Sequence, residues 1–150
     1  MGNFTHGPMV GLVVVTHGGA ATCLLDAVAG ILGPLPAAVP VAISMDETFD
    51  ETLERIERAC DEVDAGAGVV LLVDLQGSSP YQACMAMMDG SRPAEVVCGV
   101  NLAMLLKLAT IDRCEPHPPE LAQLLRDVGK RSIRLGSELT GRVPLEEVER

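Results

Sequence analysis

The chain has 150 residues, of which 48% are hydrophobic, and these values fit one globular domain with a single sizeable core. Its formal net charge of −10 repels phosphate backbones, and basic residues cluster only in the short group Lys130, Arg131 and Arg134, so the sequence argues against nucleic-acid binding. The apolar runs are strand-sized and no signal-peptide pattern is present, so we predict a cytoplasmic protein without a membrane-inserted segment.

The first predicted unit is a strand, a glycine turn and a helix. Residues 9–15 form an uncharged, β-branched run, which is typical of a strand covered on both faces. The run ends in Thr-His-Gly-Gly at 16–19, after which apolar residues recur at helical spacing until a Gly-Pro pair at 33–34. We expect residues 1–8 to form a flexible leader and residues 9–150 to form the single domain.

The same unit recurs along the rest of the chain. Further strands are predicted at 39–44, 69–73 and 94–100, each followed by a helical pattern. Thr48 and Glu51 have the spacing of a capping box and predict the start of the second helix. Strands that alternate with helices require parallel pairing through right-handed crossovers. The predicted fold class is therefore α/β, with an open, mainly parallel four-stranded sheet and helices on both faces.

A fifth, shorter strand is predicted near the end of the chain. Residues 132–135 alternate weakly between polar and apolar side chains and follow a glycine, which favours a strand at a sheet edge.

The cysteines and histidines show no metal-ligand pattern. The cysteines are Cys23, Cys60, Cys84, Cys98 and Cys114, and none of them forms a C-x-x-C pair. We interpret them as reduced, mostly core thiols, and we predict no metal and no other cofactor. Two of the three histidines are predicted to be non-catalytic, since His6 lies in the leader and His117 in a proline-rich loop.

The third histidine, His17, stands at the end of the first strand, and Asp74 closes the third strand. In an open parallel sheet, ligands collect beyond the carboxyl ends of the strands. If the two strands are neighbours, the carboxylate of Asp74 holds one ring nitrogen of His17 and raises the nucleophilicity of the other. The sequence therefore predicts His17 as a nucleophile and Asp74 as its orienting partner.

Glycine and serine residues beside these strand ends favour an anion. A phosphorylated imidazole carries about two negative charges and needs N–H and hydroxyl donors around it. A helix begins close to each strand end, and helix N-termini bind anions. The predicted phosphate-binding residues are Gly18, Gly19, Gly77, Ser78 and Ser79.

Three segments, taken in order, resemble the mannose-type IIA domains of the bacterial phosphoenolpyruvate-dependent sugar phosphotransferase system. They are VVVTHG at 13–18, LLVD followed by GSSP within 71–80, and GVNLAML at 99–105. The resemblance implies a phosphotransferase component in which His17 is phosphorylated by the phosphocarrier protein HPr and passes the phosphoryl group to a separate IIB component. It also implies a homodimer in which a C-terminal edge strand is exchanged, a role for residues 132–135.

The chain departs from this family directly after the aspartate. Leu75 and Gln76 stand where family members commonly have Thr and Trp, which removes a hydroxyl from the edge of the site. Two alternatives of related fold stay open: a regulatory module whose phosphorylated and unphosphorylated forms bind different targets, and the phosphotransfer subunit of a dihydroxyacetone kinase.

Overall fold

A parallel sheet of four strands lies at the centre of the computed structural model, which describes residues 7–141. The strands are β1 (Gly11–His17), β2 (Ala38–Ile43), β3 (Val69–Val73) and β4 (Ala94–Cys98). The helices are α1 (Ala20–Leu32), α2 (Phe49–Val63), α3 (Ser79–Ala86), α4 (Leu102–Leu108), α5 (Pro118–Arg131) and α6 (Gly136–Thr140). The strand order is β2-β1-β3-β4 and each pairing is parallel, which confirms the predicted α/β sheet.

Helices cover both faces of the sheet, as predicted. In β1, Leu12 and Val14 pack against the layer of α1, α4 and α5, whereas Val13 and Val15 pack against α2 and α3. All five residues of β3, Val69–Val73, are fully buried. Burial on both faces is the physical reason why these strands contain no charged residue.

The order of the strands opens a crevice at the carboxyl end of β1. The chain leaves β1 through α1 on one face and returns to β2, whereas it leaves β3 through α3 on the opposite face and returns to β4. Since β1 and β3 are adjacent, their following segments diverge and leave space between them.

The loop between β2 and α2 forms one side of this crevice and is held by four polar contacts. The capping box predicted for α2 is confirmed: Glu51 N–H donates to Thr48 Oγ1 at 3.2 Å, and Thr48 N–H donates to Glu51 Oε2 at 2.9 Å. The carboxylate of Glu47 accepts from Ser44 N–H at 3.1 Å and pairs with Arg55. These contacts fix the loop between the strand and the helix.

The additional strand predicted at 132–135 is not formed in the single chain. Ser132 N–H donates to the carbonyls of Val128 and Gly129 at 3.1 and 3.2 Å and so ends α5. Residues 133–135 then lead into α6, and Ile133 and Leu135 are 80% and 64% exposed. The alternation in the sequence therefore reflects exposed apolar side chains, and the exchange of this segment in a dimer stays a prediction.

The cysteines are less buried than predicted. Only Cys60 and Cys84 lie in the core, whereas Cys23 and Cys98 are exposed and Cys114 is intermediate. Burial raises the pKa of Cys60 to about 11 and that of Cys84 to about 12. The interpretation of mostly core thiols is wrong because α1 turns Cys23 to solvent and Cys98 ends an edge strand.

Parts of the predicted leader, including His6, and residues 142–150 lie outside the described residues. Within residues 7–141, no helix has both the length and the apolarity needed to cross a membrane.

Candidate functional site

His17 and Asp74 lie side by side at the carboxyl edge of the sheet. His17 is the last residue of β1, and Asp74 follows directly after β3, the neighbouring strand. Asp74 N–H donates to the carbonyl of Val15 at 3.2 Å, so the pairing of the strands continues to the aspartate. The position of His17 and Asp74 follows from the register of two buried strands, which is a rigid support for a reactive group.

The carboxylate of Asp74 contacts both the backbone and the ring of His17. His17 N–H donates to Oδ2 at 2.9 Å, and the ring Nδ1 lies 3.0 Å from Oδ2 and 3.2 Å from Oδ1. The His17 side chain is 39% exposed and that of Asp74 is 27% exposed. Since Nδ1 faces the carboxylate, Nε2 on the other side of the ring points away from it.

Asp74 is an ionised acceptor at neutral pH. Partial burial raises its pKa, but the hydrogen bonds from the backbone N–H and the ring of His17 outweigh that effect and lower the pKa below its usual value of 3.8. A carboxylate can only accept, so Nδ1 carries the proton of the neutral ring. The Nε2 lone pair is then available as a nucleophile.

The turn that follows His17 is held by a backbone hydrogen bond and by the Thr16 hydroxyl. Gly18 has a φ of +58°, and its N–H donates to the Ile43 carbonyl at 2.8 Å. The buried hydroxyl oxygen of Thr16 accepts from Ala21 N–H at 2.6 Å, and the hydroxyl donates to the Gly18 carbonyl at 3.4 Å. Sequence analysis did not single out Thr16, although a polar residue ending an apolar strand is a signal for it.

The turn after β3 starts α3 beside the ring. The Ser78 hydroxyl donates to the Leu75 carbonyl at 2.7 Å, and its oxygen accepts from Tyr81 N–H at 3.3 Å, so it caps the helix. Gly77 has a φ of +81°, which favours glycine at this position. Ser79 is the first helical residue, and its N–H has no acceptor within α3.

A cavity of about 220 Å³ joins the ring of His17 to the start of α3. Its lining comprises His17, Ile43, Ser44, Met45, Glu47, Phe49, Thr52, Ser79 and Pro80. Of the residues predicted to bind phosphate, only Ser79 is on this surface together with His17. A larger cavity of about 330 Å³ lies between β4 and α5 and contains none of the predicted site residues.

Exposed apolar side chains flank the histidine. Met45 follows β2 and is 91% exposed, and Leu75 follows β3 and is 59% exposed. Since β2 and β3 are the two neighbours of β1, these side chains stand on either side of the strand that carries His17. The other histidine among residues 7–141, His117, lies at the start of α5, where its N–H donates to Glu120 Oε2 at 3.2 Å.

The chain is similar to known components of the phosphotransferase system (PTS). The mannose-specific EIIAB component of Escherichia coli strain K12 is 27% identical over 125 residues, which cover 83% of this chain and 39% of that protein. The chain thus spans about two fifths of the length of that relative. The fructose-specific EIIA component of Bacillus subtilis strain 168 is 23% identical over 130 residues, which cover 87% of this chain and 88% of that protein.

Solved structures share the fold. The mannose/sorbose specific IIA subunit of the phosphotransferase system from Enterococcus faecalis superposes with a TM-score of 0.74 at 26% identity, covering 91% of this chain and 97% of that one. The component EIIA from Streptococcus agalactiae gives a TM-score of 0.77 at 21% identity, covering 87% and 99%, and shows the fold alone.

A family model, EIIA-man, described as the PTS system fructose IIA component, matches residues 11–124. The matched segment contains the whole sheet together with His17 and Asp74. Because it makes up most of the 150 residues, the chain belongs to the EIIA-man family of phosphotransferase-system IIA components.

Proposed function

We propose that this protein is a phosphocarrier that accepts a phosphoryl group on His17 Nε2 from HPr and passes it to a IIB component. The observation that carries the proposal is the contact of His17 Nδ1 with the Asp74 carboxylate at 3.0 Å, which leaves Nε2 as the free nitrogen. Family membership supports the same function, since IIA components belong to the sugar phosphotransferase system.

The transfer step needs no cofactor. The Nε2 lone pair attacks the phosphorus of a phosphohistidine on HPr, a new N–P bond forms, and the N–P bond to HPr breaks with its electron pair returning to the HPr ring. Nδ1–H stays bonded to Asp74, whose negative charge stabilises the positive charge that develops on the His17 ring. Transfer to a IIB component repeats this exchange with His17 as the donor.

Donors near the ring support an incoming phosphoryl group. Ser79 lies on the cavity that His17 also lines, and as the first residue of α3 it offers a helix N-terminal N–H and a hydroxyl. Gly18 N–H and the Ser78 hydroxyl already have protein partners, and phosphate binding by Gly18 and Ser78 stays a prediction. We assign Gly18, Gly19 and Gly77 the role of shaping the two turns around the phosphate.

The surface around His17 favours a protein partner over a small substrate. Met45 and Leu75 expose apolar area on both sides of the nucleophile, and exposed apolar patches mark protein contacts. The net charge of −10 favours a partner with a basic surface, which it would attract over distance. Leu75 replaces a common threonine of the family and adds to the apolar area beside His17.

A homodimer joined by residues 132–135 stays part of the proposal, and the exposure of Ile133 and Leu135 supports it.

The test incubates the pure protein with phosphoenolpyruvate, enzyme I and HPr, and measures the mass of the intact protein. We expect one acid-labile phosphoryl group on the wild type, none on His17→Ala, and unchanged labelling of His117→Ala and His6→Ala. Asp74→Ala should slow labelling by roughly 10-fold to 100-fold because the ring loses its fixed tautomer. Labelling of His17→Ala at the wild-type rate would refute the proposal.

A second measurement separates carriage from regulation. The labelled protein is mixed with a IIB component of the same system, and the label on each protein is followed over time. Transfer to the IIB component supports the carrier role. A label that stays on His17 favours the regulatory alternative, in which the phosphate itself changes the binding of targets.

A further inference from the structure

We infer that Thr16 is a positioning residue for His17: its buried hydroxyl ties the turn that carries the histidine to the first turn of α1. This inference rests on the proposed phosphorylation of His17. It concerns a residue that touches neither the phosphoryl group nor the partner and acts through the backbone of residues 17–21.

Thr16 and His17 face opposite sides of the sheet. Side chains alternate along a strand, and Leu12 and Val14 of β1 pack against the layer of α1, so Thr16 points to the same side. His17 points to the other side, where it lines the cavity with Ser79. Thr16 is fully buried, and its hydroxyl therefore needs protein partners.

The two partners of the hydroxyl lie at opposite ends of the turn. The oxygen accepts from Ala21 N–H at 2.6 Å, within the first turn of α1, and the hydroxyl donates to the Gly18 carbonyl at 3.4 Å. The N-cap of α1 is Gly19, which has no side chain to accept these N–H groups. Thr16 thus supplies from the strand the acceptor that an N-cap serine or aspartate normally supplies.

The turn needs such a restraint because of its composition. Two consecutive glycines follow His17, Gly18 has a φ of +58°, and a Cβ at either glycine would meet nothing within 4 Å. Neither steric contact nor residue type therefore restricts this backbone. Asp74 holds His17 N–H and Ile43 holds Gly18 N–H, whereas Thr16 holds the Gly18 carbonyl and the helix.

Loss of the hydroxyl should impair the transfer step rather than docking. The turn would then sample other conformations, and Nε2 would face the cavity for a smaller fraction of the time. Met45 and Leu75 form the docking surface that we propose for HPr. They follow other strands and keep their positions. We therefore expect kcat to fall while KM for phosphorylated HPr stays the same.

The experiment compares Thr16→Val, Thr16→Ser and wild type for phosphoryl uptake from phosphorylated HPr. Thr16→Val keeps the branched shape and removes the hydroxyl, and we expect kcat to fall roughly 10-fold with KM within about twofold. Thr16→Ser keeps the hydroxyl and should restore kcat to within about threefold of wild type. Thr110→Val is the control: its hydroxyl also donates to a backbone carbonyl, that of Lys107 at 2.8 Å, but it lies outside the site and should leave both constants unchanged.

Folding and the proposed function are checked separately. If Thr16→Val does not fold, as judged by its thermal unfolding, Thr16→Ala replaces it, since Ala removes the hydroxyl and adds no atom. In either variant the amide hydrogens of Gly18 and Ala21 should exchange faster than in the wild type, a readout that does not depend on phosphorylation. Wild-type kcat in the variant that lacks the hydroxyl, or equal losses in Thr16→Ser and Thr16→Val, overturns the inference. Failure of the wild type to be labelled on His17 refutes the proposed function instead.

Discussion

At the amino end of the sheet, Gly11 and Gly68 occupy positions where no side chain fits, whereas at the carboxyl end Gly18 borders open space. A Cβ on Gly11 would lie 2.6 Å from the Val63 carbonyl oxygen, and a Cβ on Gly68 would collide with the Pro93 carbonyl oxygen. A Cβ on Gly18 would meet nothing within 4 Å. At the amino end, packing therefore excludes a side chain at these positions. At the carboxyl end, the backbone conformation favours glycine, and the surface stays accessible.

Charged groups differ between the two ends in the same way. At the amino end, Arg113 is only 4% exposed and donates to the carbonyls of Val10 at 3.0 Å and of Pro36. At the carboxyl end, Asp74 and His17 stay partly exposed and contact each other. The comparison teaches that the charged group at the amino end is enclosed and bonded to backbone carbonyls, whereas the charged pair at the carboxyl end stays accessible, as the proposed phosphoryl transfer requires.

The largest expected effect is on stability at the amino end. Gly68→Ala places a Cβ against the backbone of Pro93 at a φ of +87°, and we expect it to lower the free energy of unfolding by about 3 kcal/mol or more. Gly77→Ala has a similar φ of +81° but meets nothing within 4 Å, so it should cost about 1 kcal/mol. Urea denaturation measures both. Equal losses would show that conformation, rather than packing, limits both positions.

The next largest effect is expected from the buried arginine. Arg113→Met leaves the buried Val10 carbonyl and the partly buried Pro36 carbonyl without this donor and should lower the free energy of unfolding by about 2 to 4 kcal/mol. The folded fraction should keep its rate of His17 phosphorylation, since Arg113 is at the other end of the sheet. Arg126→Met is the matched control: Arg126 is 59% exposed and, among residues 7–141, pairs only with its neighbour Asp127, so the change should stay within about 0.5 kcal/mol. A similar loss in both variants would contradict the comparison.

A smaller, pH-dependent effect is expected at Asp74. Its pKa is lower in the folded protein than the ordinary 3.8, so the ionised carboxylate stabilises the fold above that value, and this contribution is lost as the pH falls below it. Asn cannot titrate, so the advantage of wild type over Asp74→Asn in free energy of unfolding should shrink as the pH falls through about 4 and below. Chemical denaturation at a series of pH values measures it. A difference that does not vary with pH would mean that the carboxylate is not held by His17.

The smallest effect on stability is expected from the exposed apolar side chains. The double variant Met45→Ser and Leu75→Ser should change the free energy of unfolding by less than about 0.5 kcal/mol, because both side chains face solvent. The KM for phosphorylated HPr should rise about 10-fold, whereas the rate with the small donor phosphoramidate should stay the same. An equal loss with both donors would show that these substitutions disturb His17 rather than the docking surface.

Local pattern was enough to predict much of the fold. The charge-free runs of β1 and β3 predicted buried strands, and the spacing of Thr48 and Glu51 predicted the start of α2, because burial and capping act on residues close in the chain. The same local reasoning failed at 132–135, where α5 ends and a turn leads into α6. It also misjudged the exposed Cys23 and Cys98. Sequence alone does not record which face of a helix or which edge of a sheet is left uncovered.

The sequence by itself determined that a histidine and an aspartate each stand at the end of a strand, since strand ends follow from local periodicity. Only the tertiary structure decided that these strands are neighbours and that their register brings Asp74 within 2.9 Å of the N–H of His17, 57 residues earlier in the chain. It also decided that the hydroxyl of Thr16 contacts both Gly18 and Ala21 across the turn between β1 and α1. The physical reason is that strand order and hydrogen bonds across the sheet depend on residues far apart in sequence, whose pairing no local pattern specifies.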